Sequence, residues 1–126
     1  MTIENLIKYV ESEYGIKYDT PFKESDILIF RQKGNKKWFG ALLKVSADKL
    51  GKDGKEILYI LDVKTDPLIR EPMLKKKGVY VAYHMNKVHW LTIVLNEVSD
   101  DDLKFLLDLS FNLTKAKRKN KFKACF

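Results

Sequence analysis

Both histidines of the chain fall within one octapeptide, YHMNKVHW, at residues 83–90. Tyr83, His84, Asn86, Lys87, His89 and Trp90 place two imidazoles, an amide, an ammonium, a phenol and an indole in one short segment. An imidazole can ligate a metal, move a proton between pH 5 and 8 or, once protonated, hold an anion. Metal binding has little support here. Zinc needs three or four convergent ligands, commonly in short paired spacings, whereas His84 and His89 stand five residues apart and Cys125 is the only thiol. Nucleophilic catalysis fares no better, because there is no GxSxG elbow and Cys125 lies next to the end of the sequence. The six glycines fit neither GxGxxG nor GxxxxGK[ST]. No enzyme, metal or cofactor is expected. Two roles remain for the histidines: fixing a turn by hydrogen bonds, which is the simpler, or taking a ligand.

The elements that must position this segment are legible from periodicity and capping. Ile3, Leu6, Ile7 and Val10 form one apolar stripe, with Thr2 as N-cap and Gly15 as terminator, so a helix is expected over residues 3–14. DILIFR (26–31) and KWFGALLKV (37–45) read as two strands of a hairpin joined by QKGNK. ILYILDV (57–63) is a third strand. Asp66 before Pro67 suits a helix start, and a short helix is expected over 68–78, closed by Gly78, with Pro72 tolerable only near its first turn. VYVAY (79–83) is a short extended piece, and HWLTIVL (89–95) is the clearest strand. Ser99 followed by three aspartates opens a final helix through Leu103, Leu106, Leu107 and Leu113. Alternation predicts that Phe39, Ala41, Leu43 and Val45 share one sheet face, with Trp38 and Leu42 on the other. This order gives α+β: a two-layer sandwich in which the N- and C-terminal helices pack on one face of an antiparallel sheet.

The net charge is +7, but six basic residues lie in the acid-free stretch 114–126, so the remainder stands at only +1. One domain over 1–117 followed by a basic tail over 118–126 is the expected organisation. No apolar run approaches the about 20 residues that cross a bilayer, and a lone cysteine suits a reducing compartment; a cytoplasmic protein without a membrane partner is expected. Three basic clusters stand out: Arg31, Lys33, Lys36 and Lys37 at the hairpin tip, Lys75, Lys76 and Lys77, and the tail with Lys117 and Arg118. Solvated turns explain each run alone. Together with Lys87 they could contact the phosphates of DNA with little sequence preference.

The stretch from Asp62 onward, DVKTDPLIREPMLKKKGVYVAYHMNKVHWLTIVL, followed by a capped helix containing LLDLSFNLTKAK, resembles the MmcQ/YjbR family. The matching residues are Lys64, Asp66, Pro67, Gly78, Tyr83, His84, Met85, Asn86, Lys87, His89, Trp90, Ser110, Phe111 and Leu113. The N-terminal helix and the Trp38–Ala41 strand fit the family layout as well. The resemblance implies a CyaY-like (frataxin-like) fold and DNA binding through a double-wing arrangement. The frataxin analogy would also imply iron on an acidic ridge, but the first helix offers only Glu4, Glu11 and Glu13, so iron is discounted. The competing expectation is a small-ligand or protein-interaction module centred on Tyr83–Trp90.

Overall fold

Thr2 opens the first helix by accepting a hydrogen bond from the Asn5 amide, and Gly15 ends it in the left-handed region at φ 67°, its N–H reaching the Glu11 carbonyl. This helix, α1 (Ile3–Tyr14), buries Leu6 and Val10. The computed structural model describes residues 1–116; Lys117, Arg118 and the rest of the tail lie outside the described residues. After α1 the chain forms β1 (Leu28–Arg31), β2 (Trp38–Ser46), a short 3-10 turn (Ala47–Leu50), β3 (Ile57–Lys64), α2 (Pro67–Leu74), β4 (Val79–Val81), β5 (Trp90–Val94) and α3 (Asp100–Thr114). The five strands form one sheet in the order β1-β2-β3-β5-β4 with every neighbouring pair antiparallel. The α+β sandwich expected from the element order is therefore the observed fold. Leu6 and Val10 of α1 and Leu103, Leu106 and Leu107 of α3 share one core with Phe30, Phe39, Leu61, Val63, Leu91 and Ile93 of the sheet.

Strict alternation fails in β2. Phe30 pairs with Gly40 but Arg31 pairs with Trp38, so Phe39 is an extra residue in a bulge. Phe39 and Leu42 both join the helix-side core, whereas Leu43 and Val45 pack on the opposite face with Leu58, Ile60 and Val94. Grouping Phe39 with Leu43 and Val45 was thus incorrect, because one inserted residue exchanges the faces beyond it. Gly40 allows close packing at the bulge: a Cβ there would lie 3.0 Å from the Phe30 ring and 3.3 Å from Leu61, so these side chains would have to shift to admit it.

The expected short helix ends at Leu74 rather than at residue 78. Asp66 caps it through the Leu68 amide, and Pro72 is its sixth residue, beyond the first turn where a proline was expected to be tolerated, so the bond its N–H would give to the Leu68 carbonyl is missing. Lys75, Lys76 and Lys77 therefore occupy the turn before β4. Gly78 serves a different purpose from helix termination. It sits at φ 85°, and a Cβ would fall 2.4 Å from the Val98 backbone nitrogen. Its carbonyl accepts the Val94 N–H at 2.8 Å.

The bulge and the end of β3 are joined through α3. The buried Ser110 hydroxyl donates to the Phe39 carbonyl (2.6 Å) and accepts from the Lys64 N–H (2.8 Å). The C-cap of α3 is Lys115 in an extended conformation, with no left-handed glycine and no basic residue within the last turn. Gln32 Nε2 instead donates to the Phe111 carbonyl at 2.7 Å, and Asn35 Nδ2 to that of Thr114 at 2.9 Å. Replacing Ser110 by alanine strands two backbone groups away from water, and unmet buried groups cost about 1–3 kcal/mol each. Ser110→Ala is expected to lower stability by about 3 kcal/mol in equilibrium urea denaturation; a loss under about 0.5 kcal/mol would show that the bridge is dispensable.

Candidate functional site

The sheet directions decide which loops meet. Trp90 at the start of β5 pairs with Lys64 at the end of β3, and Ala41 near the start of β2 pairs with Asp62. The β1–β2 loop (32–37) and the β4–β5 loop (82–89) therefore leave the same end of the sheet. α3 finishes at this end too, through the contacts of Gln32 and Asn35. Lys75–Lys77 precede β4, which starts at the opposite end of the sheet, since Val79 pairs with Ile93 near the far end of β5. Of the expected basic residues, Lys33, Lys36, Lys37 and Lys87 share one end and are exposed, whereas Lys75, Lys76 and Lys77 lie at the opposite end. Arg31 belongs to the first group, but its guanidinium is engaged by Asp19 at 2.7 Å and lies over the Trp38 ring. Lys64, at the end of the strand between the two loops, has its ammonium 5.7 Å from the centre of the Trp90 ring.

Within the octapeptide, the turn is held by groups other than the imidazoles. Asn86 Oδ1 accepts from the Val88 and His89 amides, at 2.9 and 3.1 Å. Lys87 Nζ donates to the Ala82 carbonyl (2.7 Å), and Arg70 Nε of α2 donates to the Lys87 carbonyl (2.6 Å). The His89 carbonyl accepts from the Thr65 N–H at 2.8 Å. A turn feeding a strand is what the sequence suggested, but Asn86, Lys87 and Arg70 supply the side-chain hydrogen bonds. His89 is exposed. His84 is exposed as well and adopts φ 58°, a left-handed conformation that is uncommon outside glycine, although histidine, asparagine and aspartate adopt it more often than other residues. Such a conformation costs about 1–3 kcal/mol and persists only where the surroundings enforce it. The His84 ring stacks on Tyr83 with centroids 3.9 Å apart.

Beneath this loop lies a carboxylate that motif reading passed over. Asp62 is 1% exposed in the middle of the sheet face opposite the helices, paired with Ala41 on one side and Thr92 on the other. Its oxygen accepts a short hydrogen bond from the Thr92 hydroxyl, which itself accepts the Tyr83 N–H at 2.8 Å. Burial pushes the Asp62 carboxyl up to about 7, against the opposing effects of the Thr92 hydrogen bond and the positive charge of Lys87. The only signal in the sequence was an acid inside an otherwise apolar strand.

An open cleft of about 320 Å³ lies between the 3-10 turn and the β4–β5 loop, lined by Lys49, Leu50, Tyr80, Val81, Ala82, Tyr83, His84 and Lys87. One side of it is anchored by Tyr80, whose hydroxyl donates to Glu97 (2.6 Å) and accepts from Lys52 (3.0 Å), while Lys52 also pairs with Glu97. Among the described residues, no three histidine, cysteine, aspartate or glutamate side chains group to hold a metal ion. No helix of the described residues is long and apolar enough to cross a membrane.

The raised carboxyl has a stability consequence with a definite sign. Because folded Asp62 keeps its proton to a higher pH than unfolded Asp62, folding takes up a proton between about pH 4 and 7. Its contribution is fully present below the unfolded carboxyl's range, falls as pH rises and levels off above about 7. A displacement of this size corresponds to at most about 4 kcal/mol. Asp62→Asn is expected to remove most of that slope in urea denaturation series at pH 5 and 8. An unchanged slope would assign it to other groups.

The fold recurs in other proteins. The YjbR family model matches residues 12–113. The Bacillus subtilis uncharacterized protein YyaQ is 35% identical over 117 residues, covering 91% of this chain and 99% of YyaQ. A Pseudomonas syringae protein solved by crystallography superimposes with a TM-score of 0.88 at 35% identity, covering 91% of this chain and 100% of that one. A solution NMR structure from the same organism gives 0.85 at 34% identity, covering 95% and 98%. A Deinococcus radiodurans protein with a DUF419 domain is 22% identical with a TM-score of 0.69, covering 98% and 86%, and shares the fold. Residues from the end of the first helix to the end of the last thus match one family, and relatives at 35% identity share the whole architecture: the chain belongs to the YjbR family.

Proposed function

We propose that this protein binds DNA with little sequence preference, contacting phosphates through its two hairpin loops. The observation that carries this reading is the common end from which both loops emerge, with Lys33, Lys36 and Lys37 on one, Lys87 on the other, and the end of α3 tied to the first. The centres of the two loops are about three strand spacings apart, or roughly 14 Å. That span is close to the about 12 Å width of a major groove, which supports contact of the two loops with phosphates on its two sides. Lysines act there as mobile point charges and read no bases. Lys75, Lys76 and Lys77 are outside this interface, whereas Lys115, at the root of the tail, adjoins it.

With about five phosphates neutralised, log K should fall against log salt with a slope of about −4 to −5. The triple variant Lys33→Glu, Lys36→Glu, Lys37→Glu should weaken binding equally for unrelated duplexes and reduce the slope by about 3. Fluorescence anisotropy with two duplexes at two ionic strengths reads both effects. No binding at low salt ends the proposal, and so does an unaltered affinity in the triple variant.

A second reading, a small-ligand module at Tyr83–Trp90, is favoured by the cleft beside Tyr83, His84 and Lys87.

A further inference from the structure

We infer that the cleft between the 3-10 turn and the β4–β5 loop binds a small organic anion, a phosphate or carboxylate group carried on an apolar or aromatic body. This rests on the small-ligand reading and names the chemistry of its ligand. Three cationic or protonatable side chains, Lys49, His84 and Lys87, come from two separate elements and converge on one opening. Lys87 spends one of its three N–H donors on the Ala82 carbonyl, leaving two for a ligand. The remaining walls are apolar or aromatic: Leu50, Val81 and Ala82 with the rings of Tyr80 and Tyr83. The Tyr80 hydroxyl is committed to Lys52 and Glu97, so it serves as a wall. The volume of about 320 Å³ admits a ligand at the small end of the usual range.

His84 supplies the strongest argument for a ligand. Its ring is exposed, and its backbone holds a left-handed conformation that glycine or asparagine would adopt more readily. The turn itself is built by Asn86, Lys87 and Arg70, so the imidazole is not needed for it. What an imidazole adds at the lip of this cleft is a ring face stacked on Tyr83 and an edge that carries N–H donors towards an anion. The one fully buried acid among the described residues, Asp62, accepts the Thr92 hydroxyl and, with its carboxyl raised to about 7 by burial, carries little negative charge at pH 6.5 to oppose an anion.

The test uses amide NMR titrations of the full chain at pH 6.5 with four probes: phenyl phosphate, benzoate, inorganic phosphate and neutral benzyl alcohol. The expected result is saturable shifts at residues 49–50 and 80–87 with phenyl phosphate or benzoate, weaker ones with inorganic phosphate and none with benzyl alcohol. The phosphate and carboxylate arms identify which acid is preferred. His84→Asn, which tolerates the left-handed backbone, and Lys49→Gln should each weaken binding about tenfold, while Lys23→Gln, at an exposed lysine outside the cleft, leaves it unchanged. Shifts from benzyl alcohol alone would keep the small-ligand reading and overturn the anion. No shifts at the cleft from any probe at 10 mM, or shifts confined to residues 31–37, would overturn both. Because Lys49 and His84 lie outside the proposed DNA contacts, duplex binding by these variants reports separately on that proposal.

Discussion

Two backbone groups at the bulged end of the sheet, the Phe39 carbonyl and the Lys64 N–H, both turn to one side-chain oxygen on a neighbouring helix. The Ser110 hydroxyl donates to one and accepts from the other, and it is fully buried while doing so. A hydroxyl is well suited to this position because it can donate and accept at once. The contact also fixes α3 along its length. With Ser110 anchored at the bulge, the last turn of α3 falls against the β1–β2 loop, where Gln32 and Asn35 take its free carbonyls. One side chain thereby ties the bulge, the end of β3 and α3 together.

The two faces of the sheet divide the remaining work. The helix side is a continuous apolar core with aromatic contacts among Tyr14, Phe39 and Phe111. The other side is covered by a loop in place of helices, and here polar groups are found among the apolar ones. Asp62 and Thr92 are buried in the same cross-strand row that ends at Tyr80. A carboxyl placed there lowers stability at neutral pH compared with an apolar residue, and the Thr92 bridge links it to the backbone of the loop that carries His84. The edges of the sheet are guarded more simply. β4 has only three residues, and β1 is flanked by Asp19, which exchanges both backbone hydrogen bonds with Ile29.

Helix boundaries were the most legible part of the sequence, because capping is local chemistry. Thr2, Gly15, Asp66 and Ser99 act as their types and positions suggest. The bulge was not legible, since a single inserted residue leaves an apolar run looking like an ordinary strand; only Gly40 hinted at a close approach. Gly78 was read as a helix terminator because glycine suits that role, but the tertiary approach of the Val98 backbone explains it better. In the octapeptide, turn chemistry made Asn86 and Lys87 legible as the residues of a turn feeding β5, but the hydrogen bonds fixing it come from them and from Arg70, not from His84 or His89. Arg70 and the Lys52–Tyr80–Glu97 cluster depend on long-range packing that spacing does not encode. The basic clusters were visible as composition, but their separation into two opposite ends required the strand directions.

The amides of Gln32 and Asn35 do more than complete a helix. By holding the last carbonyls of α3, they join a hairpin loop to a helix end that lies 79 residues further along the chain. The loop and the last turn of α3 therefore behave as one piece: whatever displaces the loop must also break hydrogen bonds to the Phe111 and Thr114 carbonyls. A hairpin tip that would otherwise be the least restrained part of the sheet is stiffened by the final helix.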